Sequence, residues 1–241
     1  MNKYNIIKLN DVASTNTYAL SLKSEEIFKE GLVFVADYQY QGRGQRGSFW
    51  ESEVGKNLII SVVIEPNLPI GRKFDITKIV AVALTDLLLA IGFKAQIKWP
   101  NDILIGDRKI AGILIDNIIS RGVVTHSVIG IGLNVNQVVF NDYSPKATSF
   151  RIEADKTFSL EIVRDRLLNN IQKRIASYRL DNDLDGEYLS MLFQKDMVSK
   201  FESGSRRFIG VIRGVNDQGL IIIESENVAR TFDLKQVRMI L

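Results

Sequence analysis

The 241-residue chain lacks cysteine and has only one histidine, four prolines and two tryptophans. Without cysteine it can form no disulfide, no thiolate nucleophile and no cysteine-ligated zinc site. The single His126 is more typical of a structural residue than of a metal ligand, because a zinc site needs several histidine or cysteine ligands. Protein classes that depend on thiol chemistry are therefore excluded.

Long apolar runs are also missing. The longest, residues 79–91, is too short to span a bilayer and is interrupted by Thr85 and Asp86. Residues 1–7 contain no apolar signal-peptide region before the polar Asn10. The sequence therefore predicts a cytoplasmic protein without a membrane partner.

A large excess of one charge is absent as well, since 31 lysines and arginines face 28 acidic residues. The net charge of +3 and the pI near 9.0 give only weak support for a nucleic-acid partner, and we expect none. With 46% hydrophobic and 24% charged residues, the composition is that of a globular protein. Its length allows one substantial core and a small second module.

The hydrophobic pattern predicts both strands and helices. Apolar, β-rich runs predict strands at residues 32–36 and 57–64, and residues 103–115 are predicted to form a hairpin with a two-residue turn. Helical spacing of apolar residues predicts two long helices, at residues 75–91, capped by Asp75 and Gly92, and at residues 159–180. We therefore expect an α+β fold for most of the chain.

The C-terminal region has a different character. After a polar link at residues 181–186, strands are predicted at residues 208–215, 220–224, 228–232 and 237–240. Such a series of short strands predicts a small all-β module, which we interpret as an SH3-like barrel of about fifty residues. We place the domain boundary between residues 188 and 189.

Residues 38–50 place glycines, arginines and aromatic residues directly after a predicted strand. Gly42, Gly44 and Gly47 match the G-x-G-x-x-G dinucleotide fingerprint, but no helical period follows Gly47, as that fingerprint requires. A Walker A loop is excluded because no Gly-Lys-Ser/Thr ends the stretch. The stretch is either a glycine-rich surface loop or an anion-binding loop.

Two short polar segments leave alternatives open. Ser14, Thr15 and Asn16 are residue types that cap helix N-termini, and they could equally bind a polar ligand. Strand alternation separates Lys98 from its apolar neighbours, so that it points either into a site or to solvent before a turn at residues 100–102.

Glycines inside predicted strands mark further candidate positions. Gly112 indicates either close approach of a ligand or backbone, or a simple β-bulge. Gly130 and Gly132 leave one face of a strand bare, which gives room either for a flat group or for a tightly packed helix.

Four of these segments, taken in order, resemble the biotin protein ligases, also called biotin-[acetyl-CoA-carboxylase] ligases. The matching motifs are Ser-Thr-Asn at 14–16, a G-R-G loop within 39–50, K-W-P-N-D at 98–102 with K-x-A-G-I-L at 109–114, and G-x-G-x-N-V-N at 130–136. The resemblance covers nearly the whole chain. It implies a class II synthetase-like catalytic domain, a mixed sheet flanked by helices, at residues 1–188 and an SH3-like domain at residues 189–241.

The resemblance also implies a reaction. ATP and biotin, with Mg²⁺, would form biotinyl-5'-AMP and pyrophosphate, and the biotinyl group would pass to one lysine of a biotin carboxyl carrier domain. Because this joins two anions, fixed cations should supply most of the catalysis, and no enzyme nucleophile is needed. Lys98 and Arg43 are the implied catalytic residues, and Asp102 is a candidate contributor to metal binding.

The implied ligand contacts divide into two groups. Biotin would be bound by Ser14, Thr15, Asn16, Gln39, Gly42, Arg43, Lys98 and Gly112. ATP and the adenylate would be bound by Arg43, Arg46, Trp50, Lys98, Asn101, Lys109 and Asn134.

The sequence departs from the family pattern in two places. Gln45 and Ser48 stand where family members often have arginine, whereas Arg46 lies between them. The roles of those arginines are therefore not transferred to this chain. Residues 230–235 also match the usual end of the family's barrel poorly.

Two alternative functions remain at this stage. A lipoate or octanoate ligase or transferase shares the fold, but the polar Ser14, Thr15, Asn16 and Gln39 favour a ureido ring over an alkyl chain. A non-enzymatic nucleic-acid-binding module is suggested by the basic loop and the barrel. The matching segments begin almost at Met1, so we expect no repressor role, and a homodimer remains open.

Overall fold

The computed structural model describes residues 4–142, 144–180, 183–234 and 236–240, apart from the side chain of Arg46. Within these residues a large mixed sheet is followed by a smaller antiparallel sheet. The two sheets confirm the predicted α+β class and the change of character near the C-terminus.

The large sheet runs in the order β1-β2-β3-β8-β7-β6-β5, with β4 paired to β8. Strand β1 pairs in parallel with β2, whereas the other described strand pairs of this sheet are antiparallel. The strands are β1 (Asn5–Val12), β2 (Leu32–Gln39), β3 (Leu58–Ile64), β4 (Leu68–Pro69), β5 (Ala95–Lys98), β6 (Asp102–Ile105), β7 (Arg108–Ser120) and β8 (Val123–Leu133).

Helices cover both faces of this sheet. They are α1 (Thr15–Ser21), α2 (Phe74–Ile91), α3 (Phe150–Ala154), α4 (Leu160–Tyr178) and α5 (Leu184–Ser190). Ile60 and Val62 face the main core beneath α2 and α4, whereas Val63 packs with Ala19 of α1 on the other face. Alternate side chains of β3 therefore point to opposite faces of the large sheet. One face is covered by α2 and α4, and the other is covered only in part, by α1.

The start of α2 differs from the sequence prediction. The residue at the N-cap is Lys73, without a side-chain cap, and Asp75 lies in the first turn. The Asp75 carboxylate is fully buried and binds Arg72 Nε at 2.6 Å and Lys78 Nζ at 3.1 Å. The side chain of an N-cap residue bonds to free amides at the helix end, whereas the Asp75 carboxylate binds charged side chains. At the other end Gly92 is the predicted cap, with φ of 103°.

The second predicted helix and the hairpin are confirmed. Ser159 caps α4, and its Oγ accepts a hydrogen bond from the Ile162 amide. Strands β6 and β7 flank a two-residue turn, and their register shifts beside Ile103. The bulge therefore lies in this hairpin, while Gly112 itself pairs regularly with Asp102 and Gly132.

The predicted polar link is wrong in part, because α5 begins at Leu184 with Asp183 as its cap. Residues 181 and 182 of that link lie outside the described residues. The small sheet then has the order β12-β11-β10-β9-β13. Its strands are β9 (Val198–Ser203), β10 (Arg206–Val215), β11 (Ile221–Ser225), β12 (Val228–Phe232) and β13 (Arg238–Ile240). Five antiparallel strands of this length are consistent with an SH3-like domain, and β9 is the strand that the pattern missed.

A turn of the small sheet joins it to the large one. Trp99 Nε1 donates a hydrogen bond to the Gly219 carbonyl at 2.9 Å, and Gly219 also lies against the ring of Phe74. Phe201, Ile212 and other residues of the small sheet belong to the same buried cluster as the core of the large sheet. This junction brings the small sheet beside the partly covered face. None of the described helices is long and apolar enough to cross a membrane.

Candidate functional site

A cavity of about 260 Å³ lies between the partly covered face of the large sheet, the 38–50 loop and the small sheet. It brings together most residues that the sequence singled out: Ser14, Thr15, Asn16, Gln39, Arg43, Trp50, Lys98, Asn101, Lys109 and Gly112. Three others lie elsewhere. Gly42 lines the adjacent groove, Asn134 lies beneath the surface with 3% exposure, and the side chain of Arg46 is outside the described part of the chain.

One end of the cavity is polar and tightly bonded. The Gln39 amide oxygen accepts from the Thr15 amide at 2.7 Å and lies 3.0 Å from Thr15 Oγ1. Because this oxygen is fixed by Thr15, the Gln39 NH₂ group is left as a donor near Gly42. Both side chains are more than nine-tenths buried, so a ligand meets them with little competing water.

Ser14 and Asn16 have structural partners in the same region. Ser14 is the N-cap of α1, with its Oγ 3.5 Å from the Thr17 amide, which is a long contact. The Asn16 NH₂ group donates to the Leu114 carbonyl at 3.1 Å and to Asp116 Oδ2 at 2.8 Å. Capping and anchoring therefore accompany any ligand contact that these residues make.

The 38–50 loop folds back on itself as a small hairpin. Arg43 and Phe49 form an isolated bridge, and the Trp50 amide donates to the Gly42 carbonyl at 2.9 Å. Between them, Gln45–Gly47 forms one short 3₁₀ turn, followed by irregular backbone. This geometry agrees with rejection of the dinucleotide fingerprint, which would need an α-helix at Gly47.

Glycine is required at several contacts of this loop. A Cβ on Gly42 would lie 2.4 Å from the Trp50 carbonyl oxygen, and one on Gly132 would lie 2.3 Å from the Trp50 ring. A Cβ on Gly130 would lie 2.5 Å from Asn16 Oδ1. The bare strand face predicted from Gly130 and Gly132 therefore receives an asparagine and an indole ring.

The other end of the cavity is cationic. Lys109 Nζ lies 2.6 Å from Asp102 Oδ1, and Lys98 Nζ lies 3.9 Å from Asp102 Oδ2. Strand alternation holds Lys98 on the cavity side, because Ile97 is fully buried in the core on the opposite side. Lys109 also lies over the Trp50 ring, 5.4 Å from its centroid. One carboxylate thus orients two ammonium groups.

Arg43 is the most exposed of the predicted catalytic residues. Its Nη1 lies 3.4 Å from Thr17 Oγ1, and its backbone lies at the base of the loop hairpin. The guanidinium therefore stands at the cavity entrance, between the polar end and solvent. A flexible cation at this position can approach an anionic ligand after it has entered.

Two asparagines hold the cavity floor in place. Asn101 Nδ2 donates to the Ile113 carbonyl at 2.7 Å, and Asn134 Nδ2 donates to the Thr148 carbonyl at 3.0 Å. Asn134 Oδ1 and Trp50 Nε1 are buried without a hydrogen-bond partner among the described residues. Trp50 lines the cavity, whereas Asn134 lies beneath it.

Sequence reasoning missed three parts of this site. Ser61 had a signal, since it is a hydroxyl inside an otherwise apolar strand, and Asp116 directly follows the apolar residues 113–115 of β7. The cavity wall contributed by the small sheet had no motif at all: Leu234, Val237, Arg238 and Met239. Those residues reach the site only through the docking of the two sheets.

His126 lies away from the cavity, with Nε2 3.7 Å from a Glu65 oxygen and its ring beside Phe28. This agrees with the structural role predicted for it. Among the described residues, no group of three or more histidines and acidic residues is close enough together to hold a metal ion. The single carboxylate at the cationic end, Asp102, is engaged with the two lysines.

The chain belongs to the biotin/lipoate A/B protein ligase family, whose model matches residues 10–134. That range contains the polar end, the loop, both lysines and the two strand glycines.

Named relatives agree with this membership. The chain is 31% identical over 205 residues to the bifunctional ligase/repressor BirA of Bacillus subtilis, covering 81% of this chain and 62% of that protein. It is 27% identical over 218 residues to the biotin-[acetyl-CoA-carboxylase] ligase of Mycobacterium tuberculosis, covering 88% and 80%. The fold matches the biotin protein ligase of Aquifex aeolicus, solved with biotin and ATP, with a TM-score of 0.79 and 23% identity over 98% of each chain.

Proposed function

We propose that this protein activates biotin with ATP to form biotinyl-5'-AMP and then transfers the biotinyl group to a lysine of a biotin carboxyl carrier domain. The observation that carries the proposal is a single cavity with a hydrogen-bonding end and a cationic end. A small acid with a polar head fits that arrangement. Its head group would lie at Thr15 and Gln39, and its carboxylate would lie towards Lys98.

Lys98 and Arg43 would act on the first step. A biotin carboxylate oxygen attacks the α-phosphorus of ATP, the bond to the β-phosphate oxygen breaks, and pyrophosphate leaves. Both reactants are anions, so two cations that neutralise them lower the barrier more than any proton transfer would. Lys98 is already oriented by Asp102, whereas Arg43 at the entrance closes on the bound ligand.

The adenosine part of the nucleotide would lie along Trp50 and Asn101, which line the cavity. Asn134 would support that site from beneath, through its hydrogen bond to the Thr148 carbonyl. Lys109 supplies a second positive charge close by. Mg²⁺ would arrive with ATP as part of that substrate, and the single nearby carboxylate fits this, because Mg²⁺ keeps mostly phosphate and water ligands. Asp102 would be its protein neighbour.

In the second step the acceptor lysine amine attacks the acyl carbonyl of the adenylate, and AMP leaves with the bonding electrons. As the amide bond forms, the amine loses a proton to water. The groove beside the cavity, formed by Tyr40, Phe49, Leu114 and Leu234 among others, gives the acceptor an open approach.

Lipoate or octanoate activation is the alternative function on this fold. An alkyl chain would leave the polar groups of Thr15 and Gln39 without ligand partners, which costs binding free energy. The proposal also includes a cytoplasmic location and no nucleic-acid partner. The proposal also includes a homodimer. Its supporting feature is the edge of β7 that faces away from β8, because β6 pairs only with residues 108–112 and the described residues provide no strand partner on this edge for residues 115–120.

The test is incubation of the protein with biotin, ATP, Mg²⁺ and a biotin carboxyl carrier domain, followed by mass spectrometry of the carrier. One biotinyl group on one lysine is expected. Lys98→Ala and Arg43→Ala should each reduce adenylate formation by about 100-fold or more, the loss typical of removing one preorganised charge-stabilising group. Lys94→Ala, an exposed lysine just before the same strand, is the matched control and should keep wild-type turnover.

The alternative functions predict different results in binding measurements on the same protein. Thermal stabilisation by lipoate and not by biotin would replace the proposal by the lipoate alternative. Salt-dependent binding of duplex DNA or RNA without any carrier modification would support the nucleic-acid alternative. Near-normal turnover by Lys98→Ala would show that the catalytic assignment is wrong.

A further inference from the structure

A buried polar chain lies directly behind the hydrogen-bonding end of the cavity. Ser61 has 0% exposure in β3, where all its strand neighbours are apolar. Its Oγ lies 2.6 Å from Asn16 Oδ1 and 2.7 Å from Thr15 Oγ1. Ser61 does not line the cavity itself, so it can affect a ligand only through Asn16 and Thr15.

Asp116 forms the other end of this chain. Its Oδ2 accepts from Asn16 Nδ2 at 2.8 Å, beside the contact from the same nitrogen to the Leu114 carbonyl. Two oxygen acceptors on this side require the Asn16 NH₂ group here and its Oδ1 towards Ser61. The absence of a side chain at Gly130 leaves the space in which this amide lies.

The protons available to this buried series of hydrogen bonds can be counted. Three oxygen–oxygen contacts occur in series, from Asn16 to Ser61 at 2.6 Å, from Ser61 to Thr15 at 2.7 Å and from Thr15 to Gln39 at 3.0 Å. Amide oxygens cannot donate, so only the hydroxyl protons of Ser61 and Thr15 are available for three contacts. The Ser61 proton is therefore shared between two of the contacts, and the Thr15 proton serves the third.

The charge of Asp116 fixes the orientation of Asn16. A carboxylate that accepts from the Asn16 NH₂ group polarises the amide and makes Asn16 Oδ1 a stronger acceptor. Ser61 Oγ donates to Asn16 Oδ1 and to Thr15 Oγ1, and Thr15 Oγ1 donates to Gln39 Oε1. The Thr15 hydroxyl proton is therefore engaged by Gln39.

A ligand consequently meets Thr15 Oγ1 as an acceptor. If Thr15 instead donated its proton to the ligand, the close contact between Thr15 Oγ1 and Gln39 Oε1 would have no proton, which is unfavourable in a buried site. The ligand must therefore bring an N–H or O–H donor to Thr15. A cyclic urea carries such N–H groups, whereas an alkyl chain does not.

We propose that Ser61 and Asp116 are positioning residues that act through Asn16 to hold Thr15 as a hydrogen-bond acceptor for an N–H group of the ligand. The inference rests on the proposed function, because it assigns that N–H group to the cyclic urea of biotin. It extends the site to two residues that the ligand does not touch.

Calorimetric titration with biotin, and separately with ATP, tests the inference on the full-length protein. Ser61→Ala and Asp116→Ala should each weaken biotin binding by about 10-fold or more, in line with the loss of a buried or charge-assisted hydrogen bond. Asp116→Asn keeps an acceptor oxygen without the charge, so its loss should be several-fold smaller. Affinity for ATP should stay at the wild-type value in all three variants.

Ser127→Ala is the matched control. Ser127 also has 0% exposure, lies on neighbouring β8, and donates to an amide oxygen, Asn117 Oδ1, at the same 2.6 Å. It should lower the melting temperature about as much as Ser61→Ala and leave the affinity for biotin unchanged. In steady-state assays, Ser61→Ala should raise KM for biotin with little change in kcat, because the buried polar side chains are remote from the reacting carboxylate.

Each outcome has a distinct meaning. Wild-type protein that binds no biotin overturns the proposed function and this inference with it. If the wild type binds biotin and Ser61→Ala and Asp116→Ala bind it equally well, only the positioning role is overturned. An equal loss of biotin affinity in Ser127→Ala also overturns that role. If Ser61→Ala fails to fold, Asp116→Asn decides: unchanged affinity for biotin overturns the role of the charge, and a selective loss supports it.

Discussion

At the scale of single residues, Trp50 has the most specific surroundings in the cavity. Its ring lies on the bare faces of Gly112 and Gly132, and Lys109 lies over it. A planar ring held between backbone and a cation can form one wall of a ligand site. Ring position is therefore set by the two glycines as much as by the loop that carries Trp50.

Gly132→Ala is expected to displace this ring. The new Cβ would lie 2.3 Å from Trp50 Cε2, so the indole must move away from the sheet. We expect red-shifted tryptophan emission and a loss of biotin and ATP affinity of about 10-fold or more, because overpacking in a closely packed site typically costs roughly 1–3 kcal/mol. Gly71→Ala meets no atom within 4 Å and is the control. Unchanged emission and affinity in Gly132→Ala would mean that the indole does not form this wall.

The sequence predicted which residue types form the site better than it predicted which residues contact each other there. The sequence identified Thr15, Gln39 and Lys98 as polar or cationic groups at motif positions, and the structure brings them to one cavity. It could not show that both amide hydrogens of Asn16 point to Leu114 and Asp116. Those contacts join residues about a hundred positions apart, and no local pattern records such pairs.

At the scale of elements, α2 and α4 are joined by a polar cluster inside the core. Asp75 is its centre, and Tyr178 near the end of α4 donates to Asp75 Oδ2 at 2.8 Å. Arg72 and Lys78 supply the compensating positive charge. A buried carboxylate with this many partners fixes the relative position of the two helices, provided that every partner is present.

Tyr178→Phe tests this cluster through its pH dependence. Burial, and then the hydrogen bond to Asp75, raises the pKa of Tyr178 from 10.0 to about 12. Above pH 10 the unfolded chain loses this proton while the folded protein keeps it, so the tyrosine contributes stability below pH 10 that is lost as pH rises towards 12. The variant should lose about 1 kcal/mol at pH 7 and show a shallower decline above pH 10.

Urea denaturation at pH 7 and pH 10.5 measures both effects. Tyr40→Phe is the control, because Tyr40 is 56% exposed and has no comparable partner among the described residues. Its unfolding free energy should follow that of the wild type at both pH values. A decline above pH 10 that is identical in Tyr178→Phe and wild type would contradict the role assigned to this phenol.

Element prediction failed where local signals were weak or ambiguous. The short α3 and α5 have only one or two turns, too few for an apolar period, although Ser149 and Asp183 cap them. Asp75 carries the residue type of a cap, yet its burial among charged partners decides its role. Long periodic elements such as α4 and apolar runs such as β3 were predictable, because their own sequence contains the whole signal.

At the scale of the molecule, one buried cluster extends through both sheets. It includes Val80 and Leu84 of α2 together with Phe201, Ile212 and Ile221 of the small sheet. A core shared in this way should make the two sheets unfold together, even though the sequence suggests a boundary near residue 188. Since the cavity lies at the same junction, ligand binding should stabilise the whole chain.

Gly219→Ala should uncouple the two sheets. Gly219 has φ of +85°, and a Cβ there would lie 2.5 Å from the Phe74 ring, so the turn must leave the position from which its carbonyl accepts from Trp99. Wild-type protein is expected to show a single calorimetric transition that biotin shifts upwards as a whole. In Gly219→Ala we expect a lower first transition for the small sheet, a separate second transition, and weaker ligand binding because one wall of the cavity is displaced.

Gly204→Ala separates backbone strain from loss of the junction. Gly204 lies in the turn between β9 and β10 with φ of +59°, and a Cβ there meets no atom within 4 Å. It should cost only the penalty of a left-handed residue, roughly 1–2 kcal/mol, and keep one transition. If Gly219→Ala behaved in the same way, the shared core alone would be enough to couple the sheets. Two transitions in the wild type would instead show that the sheets are independent folding units and that only their contact at the cavity unites them.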